Sequence, residues 1–273
     1  MIYLNGFLNR VFDLVLSPLV GLGPWIGMIG LCLLTSVLVL LVFKVTSDQA
    51  AIARERNRGV ARVLELLLYR DDIVVSLGAV SRVLSANGRY MLHLLVPFGV
   101  TIVPVFLVLV QASSFFGYRP LQQGEQAVLT ARFDSRVDVV NTPVSLVSSP
   151  SVRIQTPPVR MPSEHAVSWR IQAIGAEAWA DLNVDGQAIR KRISVGPGSR
   201  RVAPRRVRAG FLNELLNPTE RPLPSNSSVQ CVEISYAPAF FRLGSSRLHW
   251  LAVFLVLTLF LGLLVKRPLG VEF

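Results

Sequence analysis

The sequence has 273 residues, of which 51% are hydrophobic and 16% are charged, and its formal net charge is +11. A soluble domain carries about 25% charged residues, so the composition excludes an ordinary soluble protein. Three apolar runs, residues 25–43, 94–116 and 248–265, account for the shortage of charge. The first run carries no charge and approaches the ~20 residues that a helix needs to cross a bilayer. The composition therefore predicts a membrane protein with three spans.

The positive charge does not by itself indicate nucleic acid, because clustered Lys and Arg also face anionic lipid. The sequence contains no aromatic-rich basic helix and no zinc-ligand spacing. We therefore expect membrane lipids as partners and no nucleic acid. Cys32 lies in the first apolar run and Cys231 in a later polar region, so we expect no disulfide between them.

Residues 3–16 show the apolar periodicity of a helix. The polar residues of this segment share the other face: Asn5, Asn9, Arg10 and Asp13. The segment is either a short helix packed on protein or an amphipathic helix in the headgroup plane. We favour the second because a span follows directly. Ser17-Pro18 and residues 21–24 are expected to end this helix before the first span.

Residues 45–93 are predicted to form a basic arm of two amphipathic helices. The first covers residues 48–69, and Asp71-Asp72 caps the second. The two are expected to pack as an antiparallel pair, with Asn87-Gly88 marking a break before the second span. The apolar faces expected to meet are Val60, Val63, Leu64 and Leu67 against Ile73, Leu77, Val80 and Leu84.

Residues 117–247 change character, since short β-rich runs alternate with turn residues. Asp185-Gly186 between two runs is a strong hairpin signal, and residues 211–216 suggest a short helix. The pattern predicts an all-β, immunoglobulin-like sandwich, in architecture only, since the Cys…Trp…Cys pattern is absent. The predicted strands are residues 126–133, 136–140, 152–155, 167–174, 178–184, 187–195 and 229–236.

The distribution of basic residues predicts the topology. Lys44 and seven arginines lie within residues 44–93, and Lys266-Arg267 follows the third run. The positive-inside rule puts both in the cytoplasm, and a domain longer than ~60 residues is translocated largely regardless of its charge. We expect a multi-pass protein of the bacterial inner membrane. Its segments are an interfacial helix (1–24), span one (25–44), a cytoplasmic helical hairpin (45–93), span two (94–116), an extracytoplasmic β-sandwich (117–247), span three (248–265) and a cytoplasmic tail (266–273).

No catalytic constellation stands out, because the sequence has no GxSxG, HExxH or P-loop pattern. We therefore expect no enzyme activity, no metal and no cofactor. Polar residues inside the spans are more informative. Such residues pack between helices or bond to their own helix, and a terminal lysine reaches the headgroups; alternatively they line a hydrophilic groove. The candidates for a groove are Thr35, Ser36, Lys44, Thr101 and Gln111.

A second candidate site is a basic stretch without acids. It is either a solvated loop or a contact surface for anionic lipid or an acidic partner segment. Its members are Arg190, Lys191, Arg192, Arg200, Arg201, Arg205, Arg206 and Arg208.

The order of segments resembles that of the YidC/Oxa membrane insertases, closest to the archaeal YidC-like proteins and subunit 3 of the endoplasmic reticulum membrane complex. Leu68-Tyr69-Arg70 is similar to the Leu-Tyr-Lys/Arg of the insertase hairpin, and Pro97 and Pro104 to prolines of its second core span. The resemblance covers residues 1–116 and 248–267. Residues 117–120 and 269–272 are similar to recurring features of bacterial relatives that carry an added β domain.

The resemblance implies an energy- and cofactor-independent membrane insertase or chaperone. Three core spans would form a polar groove that lowers the cost of moving polar segments through hydrocarbon. Lys44 would be its cationic residue, and nascent membrane proteins or other membrane subunits its partners. The alternative is a non-enzymatic membrane-anchored receptor or scaffold whose extracytoplasmic sandwich binds a ligand or protein partner.

Overall fold

A computed structural model of the chain describes residues 2–47, 54, 57, 61, 73–196 and 201–270. Several predictions fall outside these described residues. One is the paired packing of the arm, which depends on residues 48–69 and on the side chains of residues 73–87. The others are the Leu68-Tyr69-Arg70 motif, Arg200 and residues 271–273. The chain divides into two compact units. One comprises Met1–Met28 and Leu109–Val253, and the other comprises Ile29–Val108 and Phe254–Phe273.

Helix α1 is Ile2–Leu22 and helix α2 is Pro24–Thr46. The predicted break at Ser17-Pro18 is wrong, because Pro18 lies inside α1 and the break falls at Gly23, whose φ is +148°. Pro24 then suits the first position of α2, where no backbone N–H is needed. A Cβ on Gly27 would approach Val20 Cγ2 to 2.6 Å. The small residue therefore allows α1 to contact the start of α2.

Helix α3 is Ile73–Phe116. The predicted break at Asn87-Gly88 is wrong, because the helix continues through both residues. Pro97 and Pro104 also lie inside it. An Asn-Gly pair favours a turn only locally, and the helical residues on both sides override that preference.

Two helical segments are long and apolar enough to cross a membrane by length and composition, namely Pro24–Thr46 and Pro97–Phe116. After a short helix α4, Phe211–Leu216, the third predicted span corresponds to helix α5, Trp250–Val265. This helix is apolar but has only 16 residues, because residues 248 and 249 belong to a strand.

Within the second unit, α2 and α5 run parallel. Cys32 Sγ donates to the Phe254 carbonyl over 3.7 Å, and Ser36 Oγ donates to the Thr258 carbonyl over 2.8 Å. Farther along, Leu40 and Phe43 pack with Val265 and Leu269. Residue numbers rise together along both helices, so the two helices point in the same direction.

The β domain contains eleven strands among the described residues. Two sheets form its body, in the orders β3-β5-β1-β9-β8, with β4 beside β5, and β2-β6-β7; β10 and β11 form a separate hairpin. The strands are β1 Gln126–Phe133, β2 Val144–Ser148, β3 Val152–Ile154, β4 Val159–Met161, β5 Ala166–Ala173, β6 Glu177–Val184, β7 Gln187–Ser194, β8 Arg205–Val207, β9 Val229–Ile234, β10 Phe240–Leu243 and β11 Ser246–His249.

One apolar core fills the space between the two sheets, so the domain is sandwich-like. Alternate residues of each strand point inward, such as Leu129 of β1, Ile171 of β5 and Leu182 of β6, and all three are fully buried. Asp185 and Gly186 have φ values of 47° and 80°, as the predicted two-residue hairpin requires.

Most predicted strands lie within a few residues of observed ones. The predicted strand 136–140 is wrong, because the segment forms turns. Asp138 accepts hydrogen bonds there from the Val140 N–H and the Asn141 side chain, which favours a turn over a ladder. The predicted helix 211–216 is confirmed as α4.

Candidate functional site

The β domain follows α3 without a linker. Gly117 N still donates to Ser113 O, while Gly117 O already accepts from Ala239 N. The next residues continue this pairing, with a bridge between Tyr118 and Pro238 and a bond from Arg119 N to Ala237 O. A Cβ on Gly117 would lie 2.4 Å from Ser113 O, so only glycine fits here without a shift.

An aromatic cluster lies at the same junction. Phe241 of β10 is buried and its ring centroid lies 4.9 Å from that of Trp25, near the start of α2, and 5.9 Å from that of Phe116, at the end of α3. Such pairs add about 0.5–1.5 kcal/mol to the burial of their apolar surface. The hairpin that carries Phe241 then passes into α5, since β11 ends at His249 and α5 begins at Trp250.

Arg201 connects three elements of the junction. Its guanidinium pairs with Asp13 of α1 at 2.7 Å and donates to the Asn9 side-chain oxygen at 2.8 Å. The guanidinium also lies 4.5 Å from the ring centroid of Phe115 in α3. The backbone carbonyl of Arg201 accepts a hydrogen bond from the Ser194 hydroxyl of β7. Burial lowers the pKa of Arg201, and Asp13 opposes that shift. The arginine thus joins α1, α3 and β7.

Two asparagines extend the contact of α1 with the domain. Asn5 Nδ2 donates to the Glu214 carbonyl at 2.7 Å, and Asn9 Nδ2 donates to the Pro218 carbonyl at 2.8 Å. The polar face of α1 therefore packs on protein. An apolar stripe of α1 is exposed, including Phe7 at 64% and Leu14 at 80%. A place for this stripe in the headgroup plane stays a prediction.

Lys191 of β7 is fully buried. Its Nζ donates to Glu220 Oε2 at 2.5 Å and to the Ala203 carbonyl at 2.7 Å. The other carboxylate oxygen of Glu220 accepts from the Arg192 N–H. Burial lowers the pKa of Lys191, and the Glu220 carboxylate opposes that shift. The pair ties two irregular segments to the edge of the β2-β6-β7 sheet.

Most other members of the predicted basic stretch also have partners inside the domain. Arg190 makes two 2.8 Å bonds to Asp181 and lies 4.2 Å from the ring centroid of Trp179. Arg192 is exposed, and Arg200 lies outside the described residues. The remaining contacts are Arg205 with Glu233, Arg206 with the carbonyls of Arg190 and Arg221, and Arg208 with Asp134. Contact of this stretch with lipid or an acidic segment stays a prediction.

The predicted groove residues are mostly buried and bonded to helix carbonyls. Thr35 donates to Leu31 O and Thr101 to Pro97 O within their own helices, and Ser36 donates across to α5. The exposed Lys44 donates to Leu269 O at 2.7 Å. Thr35, Ser36, Lys44 and Thr101 belong to one unit and Gln111 to the other.

Gln111 differs from these residues. Its side chain is 1% exposed, and its Oε1 has no hydrogen-bond partner within the described part of the chain. Among the described residues, no three His, Cys, Asp or Glu side chains lie close enough together to hold a metal ion.

Sequence reasoning missed the junction as a site. Arg201 belongs to the predicted basic stretch, but nothing in the sequence relates this arginine to Asp13 and Asn9. The one available signal was the spacing of Asn5, Asn9 and Asp13, which places them on one helix face. Comparisons of the chain with protein-family models, curated proteins and solved structures found no match.

Proposed function

We propose that the protein is a non-enzymatic, membrane-anchored receptor or scaffold that presents its β domain on the extracytoplasmic side. The observation that carries the proposal is the junction, where Arg201 and the segment after Gly117 fix the domain to helices without a flexible linker. Within its own unit the domain is thus held to α1 and to the adjoining ends of α2 and α3, which suits binding and presentation. The immunoglobulin-like assignment is part of the proposal, supported by two antiparallel sheets around one core.

The ends of the apolar helices support the membrane crossing and its orientation. Trp25, Tyr118 and Trp250 lie at the domain ends of α2, α3 and α5, and Trp and Tyr favour membrane–water interfaces. Lys44 and Lys266-Arg267 lie at the opposite ends of α2 and α5. This order of aromatic and basic residues supports a cytoplasmic location for the basic ends.

The outer face of the β2-β6-β7 sheet supports a protein partner for the domain. On this face the Arg190 guanidinium lies over the Trp179 ring and donates two hydrogen bonds to the Asp181 carboxylate. Val147 on the neighbouring strand is 50% exposed. Trp and Arg are the residue types enriched at the energetic centres of interfaces. We therefore place the partner on this face.

The insertase function, which the resemblance of the sequence implies, is here the second candidate, and one observation favours it. A buried glutamine oxygen without a partner is costly in an apolar surrounding, and Gln111 Oε1 is in that state within the described residues. A polar segment of a client protein or a water molecule would satisfy it. The bonded hydroxyls of Thr35 and Thr101 give no such support.

Photo-crosslinking in cells separates the two functions. A photoreactive amino acid at Val147 tests the domain face, and one at Thr101 or Gln111 tests the spans. The receptor proposal predicts a discrete crosslinked product from Val147 that disappears with Trp179→Ala. Crosslinks from Thr101 and Gln111 to newly made membrane proteins, with none from Val147, would overturn it in favour of an insertase.

A further inference from the structure

Strand β2 forms one edge of the β2-β6-β7 sheet, and its register on β6 fixes the direction of its backbone groups. Just after the strand, Ser149 N donates to Trp179 O over 3.0 Å, and the register continues through β2 without a shift. In an antiparallel ladder, pairs that bond each other alternate with pairs that do not. Counting back from Ser149, the alternate residues Val147 and Ser145 therefore bond to β6 through their N–H and C=O groups.

The residues between them, Val144 and Leu146, direct the same backbone groups away from β6. No hydrogen bond between residues that the structure describes uses these outward N–H and C=O groups. Such a row of donors and acceptors is a template on which a further strand can pair. The opposite edge of the sheet differs, because Glu220 accepts there from the Arg192 N–H of β7.

The edge of β2 also lacks the features that prevent pairing with another chain. Edge strands are commonly protected by charged side chains, a proline or a bulge. Strand β2 has no charge and no proline, and its pairing with β6 has no bulge. Within the described part of the two sheets, it is the one edge strand without a charged residue. The other edge strands carry Arg153 (β3), Arg160 (β4), Arg190, Lys191 and Arg192 (β7), and Arg205 and Arg206 (β8).

The side chains of β2 define the pattern of a strand that would fit beside it. Val144 and Leu146 pack against the core of the domain but are only partly buried, so apolar side chains on a neighbouring strand would cover them. Ser145 and Val147 point to the outer face, where both are exposed. Because side chains alternate between the faces of a sheet, a segment of alternating apolar and polar residues matches both faces.

We propose that an extended segment of a partner protein, with alternating apolar and polar residues, adds as a strand to the outer edge of β2. Its backbone bonds to Val144 and Leu146, and its apolar side chains cover those two residues. In this mode the main-chain bonds supply affinity and the alternate side chains supply specificity. The inference rests on the proposed function, because it names the kind of segment that the β domain binds.

Proline substitution tests the edge in the full chain. The Leu146 N–H points away from β6, so Leu146→Pro removes an outward donor and leaves the bonds between β2 and β6 in place. With a photoreactive amino acid at Val147 in cells, the crosslinked product should fall at least about fivefold. The matched control Leu146→Ile should leave it unchanged. Val144→Pro removes the neighbouring outward donor and gives the same test if Leu146→Pro lowers the amount of folded protein.

The outcomes separate this inference from the proposed function. A product from Val147 that Trp179→Ala removes, but that both proline variants leave unchanged, would overturn strand addition and leave the receptor proposal standing. Crosslinks from Gln111 to newly made membrane proteins, with none from Val147, would overturn both.

A second measurement tests the backbone of the partner segment. The segment crosslinked to Val147, identified by mass spectrometry, is synthesised in two forms, with N-methyl groups on its odd or on its even residues. A strand bonded along one edge predicts that one form binds the purified full chain like the unmodified peptide and the other at least about tenfold more weakly. Equal affinities of the two forms, or a crosslinked segment that comes from a second copy of this chain, would overturn the inference.

Discussion

The buried polar groups of the α2–α5 pair and those of the β domain have different kinds of hydrogen-bond partner. Between α2 and α5, the Cys32 thiol and the Ser36 hydroxyl donate hydrogen bonds to backbone carbonyls. In the β domain and at its contact with α1, arginines and a lysine form ion pairs with carboxylates, as in Arg201–Asp13 and Lys191–Glu220. Neutral donors avoid the large desolvation cost that a charge meets in hydrocarbon. The difference is the one expected if the α2–α5 pair lies in lipid and the β domain in water, as proposed above.

The largest expected effect concerns the buried pair of the β domain. Glu220→Ala leaves Lys191 buried with a single carbonyl partner, and the loss of one member of such a pair costs about 3–5 kcal/mol. Unfolding followed by tryptophan fluorescence should show this loss, whereas Glu177→Ala, an exposed acid of β6, should have little effect. The double variant Lys191→Met/Glu220→Leu should recover most of the stability. An unstable double variant would contradict the view that the isolated charge is the cause.

Arg201→Ala should have the next largest effect. It removes the ion pair with Asp13, the bonds to Asn9 and the contact with Phe115, for a loss of roughly 2–3 kcal/mol. Limited proteolysis should then cleave α1 faster. Arg201→Lys should restore only part of the protection, because an ammonium cannot reproduce the planar fork. The matched control is Arg192→Ala on the exposed face, and equal cleavage of the two variants would count against the junction.

The helix pair provides a steric prediction. A Cβ on Gly262 would lie 3.9 Å from Ser36 Oγ, which is ordinary contact, so Gly262→Ala should be tolerated. Gly262→Leu should overpack the contact between α2 and α5 and cost about 1–3 kcal/mol. The fraction that remains soluble after heating in detergent measures the difference. Identical behaviour of the alanine and leucine variants would show that α2 and α5 are not in contact at this site.

The smallest expected effect is a pH dependence. Arg119 holds the pKa of Glu125 below its ordinary value through two 2.7 Å bonds. Glu125 therefore binds a proton more readily in the unfolded state than in the folded state. The stability that the Arg119–Glu125 pair contributes is present above the unfolded-state pKa of Glu125 and is lost as the pH falls through its folded-state pKa. Both groups are partly exposed, so we expect less than about 1 kcal/mol. Unfolding curves of the protein and of Glu125→Gln should converge in acid, and parallel curves would exclude this contribution.

The sequence predicts those parts of the structure that depend on local pattern. Alternating residues and the Asp185-Gly186 turn place β6 and β7 within a residue of their observed bounds. Five strands were not predicted, namely β2, β4, β8, β10 and β11, and two of these, β4 and β8, have only three residues each. Strands β4 and β8 form because β5 and β9 offer neighbouring edges. In α3, the helical residues on both sides of Asn87 and Gly88 override the local turn preference of that pair.

The junction could not be predicted for a related reason. The pairing of Arg201 with Asp13 joins residues far apart in sequence, and no local signal relates them. Hydroxyl residues in the predicted spans were recognised from the sequence, but the sequence does not tell whether Thr35 and Thr101 face a groove or bond to the preceding turn. The structure places both hydroxyls on carbonyls of their own helices.

The central claim is that the β domain is fixed to α1 and to the adjoining ends of α2 and α3 at the junction, and a distance measurement tests it most directly. Nitroxides at Arg10→Cys of α1 and Val147→Cys of β2, in the chain without its native cysteines, report on this attachment by pulsed electron–electron resonance in vesicles. A fixed domain predicts one narrow distance distribution, which broadens when Arg201→Ala is added. A broad distribution in the protein with Arg201 intact would contradict the claim.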